Sequence, residues 1–75
     1  MDFDKELNAR GLGCPLPIIK TKQSLNGMTS GQVLKVIATD PGSVADMQAF
    51  AEQTGNPIVG SDAANKEFTF YIKKG

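Results

Sequence analysis

Glycine and proline interrupt this chain so often that its apolar residues fall into six short segments, and this spacing restricts the fold more than any other feature. Each segment is long enough for one strand or one short helix, and none approaches the ~20 apolar residues of a membrane span. A chain of 75 residues buries only about 60% of its unfolded surface, which is enough for one core. We therefore predict a single domain over residues 1–75 with no membrane association.

Four of the segments have the apolar pattern of β-strands. Residues 3–8 alternate between apolar and acidic positions, and residues 32–38 are nearly continuous in apolar and β-branched character, which is typical of a central, covered strand. Residues 58–60 are a short strand candidate, and the polar residues 61–66 are predicted to form a turn. Residues 67–73 alternate again and predict the last strand.

The other two segments have helical spacing. The first runs from Pro15 to about Asn26 and is followed by a glycine, a common residue after a helix. For the second helix, Asp40 is predicted to cap with Pro41 as the first helical residue. Alternatively, Ser43 caps it and an acidic residue three positions later completes the capping pair. Its core-facing stripe is predicted to comprise Val44, Met47, Phe50, Ala51 and Thr54.

The predicted element order is therefore β-α-β-α-β-β. Two helices do not easily cover both faces of a four-stranded sheet, so they are expected to pack on the same face. We predict an α/β (α+β) fold, a two-layer βαβαββ sandwich with a four-stranded mixed sheet and two helices on one face.

Cys14 is the only cysteine in a chain that has no histidine. This composition excludes a disulfide within the chain and a CxxC redox pair. It also excludes a zinc site built from cysteine and histidine, and Ser-His-Asp or Cys-His catalysis, because no imidazole is present. We expect no metal and no cofactor.

The net charge of the chain and its first six residues bear on its nucleic-acid partners and its cellular location. Eight basic residues balance eight acidic ones, whereas tight nucleic-acid binding usually requires a basic surface that neutralises several phosphates. The first six residues are acidic and contain no apolar stretch, so no signal peptide is predicted. We expect a cytoplasmic protein that does not bind tRNA directly.

The residues around Cys14 carry the strongest chemical signal. Pro15 is predicted at the first helical position, where its missing N–H costs nothing, with Pro17 at the third. Cys14 is then the N-cap, and the N–H groups of Leu16 and Ile18 are candidates to point at the sulfur. Since a helix N-terminus favours an anion, we expect a moderately lowered pKa for this thiol.

These residues also permit other interpretations. A lone cysteine is often a buried, inert residue, but glycines before Cys14 and prolines after it favour an exposed chain corner. Arg10, Lys20 and Lys22 are predicted either to form a basic rim for a partner or an anionic sulfur, or to be solvated charges. Asp40 is expected to be a helix cap and not a catalytic carboxylate.

Residues 10–17 match the signature Arg-Gly-Leu-x-Cys-Pro-x-Pro, and on this motif the chain resembles the TusA/SirA-like sulfur-carrier family. Two further similarities are the Asp-Pro-Gly segment within residues 39–43 and the Ile-Lys-Lys-Gly ending at residues 72–75. The likeness covers essentially the whole chain. It implies the same βαβαββ sandwich.

The resemblance also implies a function. Cys14 would accept a persulfide sulfur from a cysteine desulfurase or a rhodanese-like donor and pass it to an acceptor protein, for tRNA thiolation, cofactor maturation or sulfur oxidation. Pro15 and Pro17 would fix the helix start, and Arg10 and Gly11 would serve partner contact or loop geometry. The chain would act as a monomeric carrier and not as a stand-alone enzyme.

Two alternatives remain open from the sequence. The chain would be a non-catalytic regulatory or binding module if its small sheet surface held a protein or RNA and Cys14 were dispensable. A stand-alone thiol enzyme is the less favoured alternative, because the chain has no histidine to serve as a base.

Overall fold

Six elements follow one another in the predicted β-α-β-α-β-β order in the computed structural model, which describes residues 2–75. Met1, which the prediction of a single domain includes, lies outside the described residues. The elements are β1 (Lys5–Ala9), α1 (Leu16–Asn26), β2 (Val33–Ala38), α2 (Ser43–Thr54), β3 (Ile58–Ala64) and β4 (Glu67–Lys73). Helix α2 ends as predicted before Gly55, whose φ of 71° suits a residue without a Cβ.

Within residues 2–75 the strands form a four-stranded mixed sheet in the order β1-β2-β4-β3. Strand β1 is parallel to β2 because α1 provides the crossover between them, whereas β4 is antiparallel to both β2 and β3. Both helices cover the same face, so the predicted two-layer sandwich is confirmed. In the described part of the chain, neither helix has the length and apolar character needed to cross a bilayer.

The core lies between the helices and the two central strands. Leu34 and Val36 of β2 pair with Ile72 and Phe70 of β4 and point at the helices. The buried helical residues are Pro17, Thr21 and Leu25 of α1 and Ser43, Met47, Phe50 and Ala51 of α2. Burial of each large apolar side chain contributes about 1.5–3 kcal/mol, so this layer supplies most of the stability that holds the loops in place. Thr54, predicted in the stripe of α2, is exposed.

Two strand boundaries differ from the predictions. The turn predicted at residues 61–66 is wrong: β3 continues to Ala64, and the turn consists of Asn65 and Lys66, with φ of 53° and 63°. The polar residues of β3 form an edge strand because β4 supplies their backbone hydrogen bonds. Strand β1 begins at Lys5 instead of residue 3, because a carboxylate oxygen of Asp4 accepts the hydrogen bond from the Val33 N–H.

Candidate functional site

Two loops bring the candidate site together: loop 1 (residues 10–15) connects β1 to α1, and loop 2 (residues 39–42) connects β2 to α2. Because β1 and β2 are parallel neighbours, both loops leave the same edge of the sheet. The crevice outside the carboxyl ends of such strands is a common position for functional sites. Loop 1 carries Cys14, whose side chain is exposed, as expected of a cysteine at a chain corner.

Loop 2 holds the backbone of loop 1 with two side chains. A carboxylate oxygen of Asp40 accepts a hydrogen bond from the Cys14 N–H at 3.0 Å. The hydroxyl oxygen of Thr39 accepts one from the Gly11 N–H at 2.9 Å. Gly11 has a φ of 77°, a conformation that glycine adopts at low cost. The position of Cys14 is therefore fixed from the neighbouring loop as well as by its own helix.

The start of α1 differs from the prediction. Pro15, not Cys14, occupies the N-cap, the helix begins at Leu16, and Pro17 is its second residue. The predicted amides do not point at the sulfur, because the Leu16 N–H donates to the Gly13 carbonyl at 3.0 Å and the Ile18 N–H donates to the Pro15 carbonyl at 3.1 Å. These local turns use the donors that the prediction had assigned to the thiolate.

Both predicted caps of α2 are also wrong. The N-cap is Gly42, and Ser43 is the first helical residue instead of the cap. The Ser43 hydroxyl donates to the Asp40 carbonyl at 2.6 Å. The Asp40 carboxylate accepts from the Gly42 N–H at 3.2 Å and, through its other oxygen, from Cys14. The Asp40 carboxylate therefore stabilises loop 2 and also binds the backbone of loop 1. Its side chain does not cap α2.

Two carboxylates determine the electrostatics of the thiol. The carboxylates of Asp40 and, to a smaller extent, of Asp46 in α2 raise the pKa of the Cys14 thiol to about 12, and desolvation acts in the same direction. The thiol and the amides of Cys14 and Gly42 together lower the pKa of Asp40. The predicted lowering of the thiol pKa is therefore wrong. The charges that decide the pKa of this thiol come from loop 2 and α2, which lie far from Cys14 in the sequence.

The basic residues around the motif do not gather at the sulfur. The guanidinium of Arg10 is held by Glu67 of β4, with Nε 2.9 Å from Oε2 and Nη2 3.3 Å from Oε1. Both side chains are about 40% exposed, so this pair contributes only modestly to stability. Lys20 and Lys22 lie on exposed positions of α1. None of these three cations is among the groups that shift the pKa of the Cys14 thiol.

A groove of about 320 Å³ runs between the two helices and begins at Pro15, the residue that follows Cys14 in the chain. Its lining comprises Pro15, Ile18, Asp46, Ala49, Phe50 and Gln53. A groove of about 380 Å³ lies between α2 and β3, away from Cys14. Among residues 2–75 there is no cluster of three or more histidine, cysteine, aspartate or glutamate side chains suited to a metal ion.

Sequence reasoning missed Thr39 and Asp46 as neighbours of loop 1. One signal was available for Thr39: the residues that follow two adjacent parallel strands meet at the same sheet edge. Asp46 carried no comparable signal, because its approach to Cys14 depends on how closely the first turn of α2 packs against loop 1.

Comparison with known proteins covers nearly the whole chain. The sequence model of the family described as Sulfurtransferase TusA matches residues 5–74. The sulfur carrier protein TusA of Allochromatium vinosum is 62% identical over 73 residues, which span 97% of this chain and 96% of that protein. The crystal structure of a SirA-like protein from Desulfitobacterium hafniense superposes with a TM-score of 0.83 at 26% identity, covering 96% of this chain and 99% of that one. The matched residues include both loops.

Proposed function

Because this chain belongs to the TusA sulfurtransferase family, we propose that it is a sulfur carrier whose Cys14 accepts a persulfide sulfur and transfers it to an acceptor protein. The observation that carries the proposal is the exposed position of the only thiol on loop 1. A cysteine desulfurase or a rhodanese-like protein is the donor. The acceptor belongs to tRNA thiolation, cofactor maturation or sulfur oxidation, and the exchange takes place in the cytoplasm.

The transfer needs no oxidant or reductant. In loading, the deprotonated sulfur of Cys14 attacks the outer sulfur of the donor's persulfide. The sulfur–sulfur bond of the donor breaks, a sulfur–sulfur bond forms on Cys14, and the donor cysteine leaves as a thiolate. Unloading repeats the exchange in the opposite sense on an acceptor cysteine. A chain without histidine relies on its partners for the proton transfers, which suits a carrier better than a stand-alone enzyme.

The remaining motif residues have positioning roles in this proposal. Pro15 and the buried Pro17 stiffen the start of α1 behind the thiol. Gly11 allows the turn that brings its N–H to loop 2. Arg10 fastens loop 1 to β4 through Glu67. Partner contact is left to the exposed lysines of α1, Lys20 and Lys22.

Intact-mass measurement tests the proposal directly. The carrier is incubated with a cysteine desulfurase and free cysteine or, separately, with a persulfide-loaded rhodanese-like donor. We expect a mass gain of one sulfur atom that reducing agent removes. Cys14→Ser serves as the matched control and should gain nothing. Absence of the adduct with both donor classes would reject the carrier function, and a Cys14→Ala chain that fully complements a deletion strain would favour a non-catalytic binding module.

A further inference from the structure

The two helices carry opposite charges, although the chain as a whole is neutral. Helix α1 contains Lys20 and Lys22 and no acidic residue, whereas α2 contains Asp46 and Glu52 and no basic residue. A surface that is positive on one side and negative on the other attracts partners of complementary charge in one orientation and repels them in the reverse one. A protein that binds this layer is therefore expected to place acidic side chains on the side of α1.

A groove of about 320 Å³ lies between α1 and β1, on the positive side of this layer. Its lining comprises Lys5, Leu7, Lys20, Gln23 and Ser24. Both lysines are exposed, and the ion pairs within residues 2–75 use other cations, Arg10 and Lys35. Leu7 is half-buried and packs against the core. Since no carboxylate lines this groove, it offers two positive charges and an apolar contact to a partner.

Strand β1 forms the edge of the sheet at this groove, because within residues 2–75 it pairs with β2 alone. Its register with β2 is continuous over Lys5–Ala9. The opposite edge strand, β3, has an irregularity between Ile58 and Gly60. A bulge bends an edge strand and hinders pairing, whereas a regular edge keeps alternate N–H and C=O groups available to another strand. Of the two edges, that of β1 is therefore the better suited to accept an added strand.

We propose, on the basis of the sulfur-carrier function, that an extended acidic segment of a sulfur-exchange partner binds in this groove as a strand added to β1. Side chains two positions apart on such a strand share one face and are about 6.6 Å apart. Carboxylates at these positions meet Lys5 and Lys20, and an apolar side chain between them contacts Leu7. The main-chain hydrogen bonds supply affinity and the alternate side chains supply specificity. No residue of loop 1 lines the groove, so binding leaves Cys14 exposed for sulfur exchange.

Other occupants match the groove less well. Single-stranded nucleic acid is held by several cations together with aromatic side chains that stack on bases, and this groove has two lysines and no aromatic residue. A basic segment would be repelled by the lysines. A second copy paired through the same edge would bring another Lys5 and Leu7 to this face, and no carboxylate. An acidic segment of a different protein is the occupant whose charge and shape both fit.

A peptide titration followed by amide NMR tests the binding mode without any donor protein. The probe is a capped peptide that alternates glutamate and valine, and the same peptide with lysine in place of glutamate is its control. We expect the glutamate peptide to shift amide signals of β1 and of the facing side of α1, and to slow hydrogen exchange at alternate residues of β1. No response to the glutamate peptide, an equal response to the lysine peptide, or a response to oligouridylate RNA alone would overturn the inference.

Charge substitutions in the same titration assign the binding to the groove. The double variant Lys5→Gln, Lys20→Gln should bind the glutamate peptide about tenfold more weakly, because both attractive charges are removed. Both positions are exposed, so its circular dichroism should match that of wild type. Lys66→Gln with Lys73→Gln removes the same charge from exposed positions outside the groove and should leave the affinity unchanged. Equal losses in the two double variants would contradict a specific site.

Loading kinetics test the role of the groove in sulfur exchange. With a donor that loads wild type, the Lys5→Gln, Lys20→Gln variant should have a KM about tenfold higher and an unchanged kcat, since the groove binds the partner and does not contact the thiol. Wild-type KM should also rise with ionic strength, and that of the variant should not. An unchanged KM, or a loss in kcat alone, would reject the groove as the docking site. If no donor loads wild type, the carrier function fails, whereas the peptide titration still decides whether the groove binds an acidic strand.

Discussion

Loop 1 and loop 2 have the same place in the fold, since each connects one of two parallel strands to a helix, but they obtain their hydrogen bonds differently. Loop 2 binds itself: the carbonyl of Asp40 accepts from the N–H and the hydroxyl of Ser43, and its carboxylate accepts from Gly42. Loop 1 has local turns of its own but also depends on its neighbour, because Gly11 and Cys14 donate to side chains of loop 2. Loop 1, which carries the thiol, is therefore held in part by loop 2, whereas the hydrogen bonds that stabilise loop 2 lie within it and at the start of α2.

This difference assigns separate tasks to the two loops. A thiol that meets several partner proteins has to be exposed, and an exposed loop has few core contacts to fix its shape. Loop 2 constrains the backbone of Cys14 through the hydrogen bond from the Cys14 N–H to Asp40. The same Asp40 carboxylate also raises the pKa of the Cys14 thiol. Geometry and reactivity of Cys14 are consequently coupled through one side chain, and substitutions in loop 2 should alter loop 1 more than the reverse.

Ser43→Ala should have the largest effect on stability. The side chain is fully buried and its hydroxyl donates to the Asp40 carbonyl at 2.6 Å. Loss of this bond should cost about 1–1.5 kcal/mol in the free energy of unfolding, measured by urea denaturation. Faster amide exchange at both Gly42 and Cys14 should accompany it. Ser30→Ala, at an exposed turn, is the control and should leave amide exchange at both positions unchanged. Faster exchange at Cys14 without faster exchange at Gly42 would contradict the view that loop 2 stabilises loop 1.

Thr39→Val should have a smaller, one-sided effect. The change keeps the shape of the side chain but removes the acceptor for the Gly11 N–H. We expect a loss of about 0.5–1 kcal/mol in the free energy of unfolding, because a single hydrogen bond in a partly exposed position is lost. Hydrogen exchange should quicken at Gly11 and stay unchanged at Gly42. Thr29→Val is the matched control. Equal increases in amide exchange at Gly11 and Gly42 would contradict the proposed dependence of loop 1 on loop 2.

The smallest effect on stability concerns alkaline pH, because Cys14 is exposed and solvent screens the charges around its thiol. Because the pKa of Cys14 is raised to about 12 in the folded chain, the unfolded chain loses this proton at lower pH, near ~8.5. The associated stability is complete below pH ~8.5 and is lost as pH rises from there toward the folded value. Wild type should therefore lose thermal stability more steeply above pH ~8.5 than Cys14→Ser, as followed by circular dichroism. Parallel pH profiles would show that the carboxylates do not act on the thiol in solution.

Much of the fold was predictable from local pattern. The continuous apolar character of residues 32–38 predicted a covered strand, and β2 does lie between β1 and β4. Glycine after each helix and the alternation in residues 67–73 gave correct element boundaries within a residue or two. A strand was predicted at residues 58–60, but the continuation of β3 to Ala64 was missed, because its polar residues pair along the sheet edge, where the backbone partner and not side-chain burial decides the conformation.

The candidate site was predictable only in part. The motif around Cys14 placed an exposed thiol before a helix, and the structure has it there. Its electrostatics were predicted with the wrong sign, because sequence proximity identified the helix end but not Asp40 and Asp46 as the governing neighbours. The start of α1 was misplaced by one residue for a related reason: turns formed around Gly13 and Pro15 use the amides that an ideal helix end would leave free.

The sequence by itself determined the order of elements, the layered architecture and the absence of any imidazole near a single thiol, since these follow from residue types and their spacing. Only the tertiary structure decided what surrounds that thiol. Parallel pairing of β1 with β2 brings loop 2 and the first turn of α2 against loop 1, and with them two carboxylates that lie distant in the chain. Electrostatic effects depend on distance in space, so pairing of strands, and not the local motif, sets the protonation of Cys14.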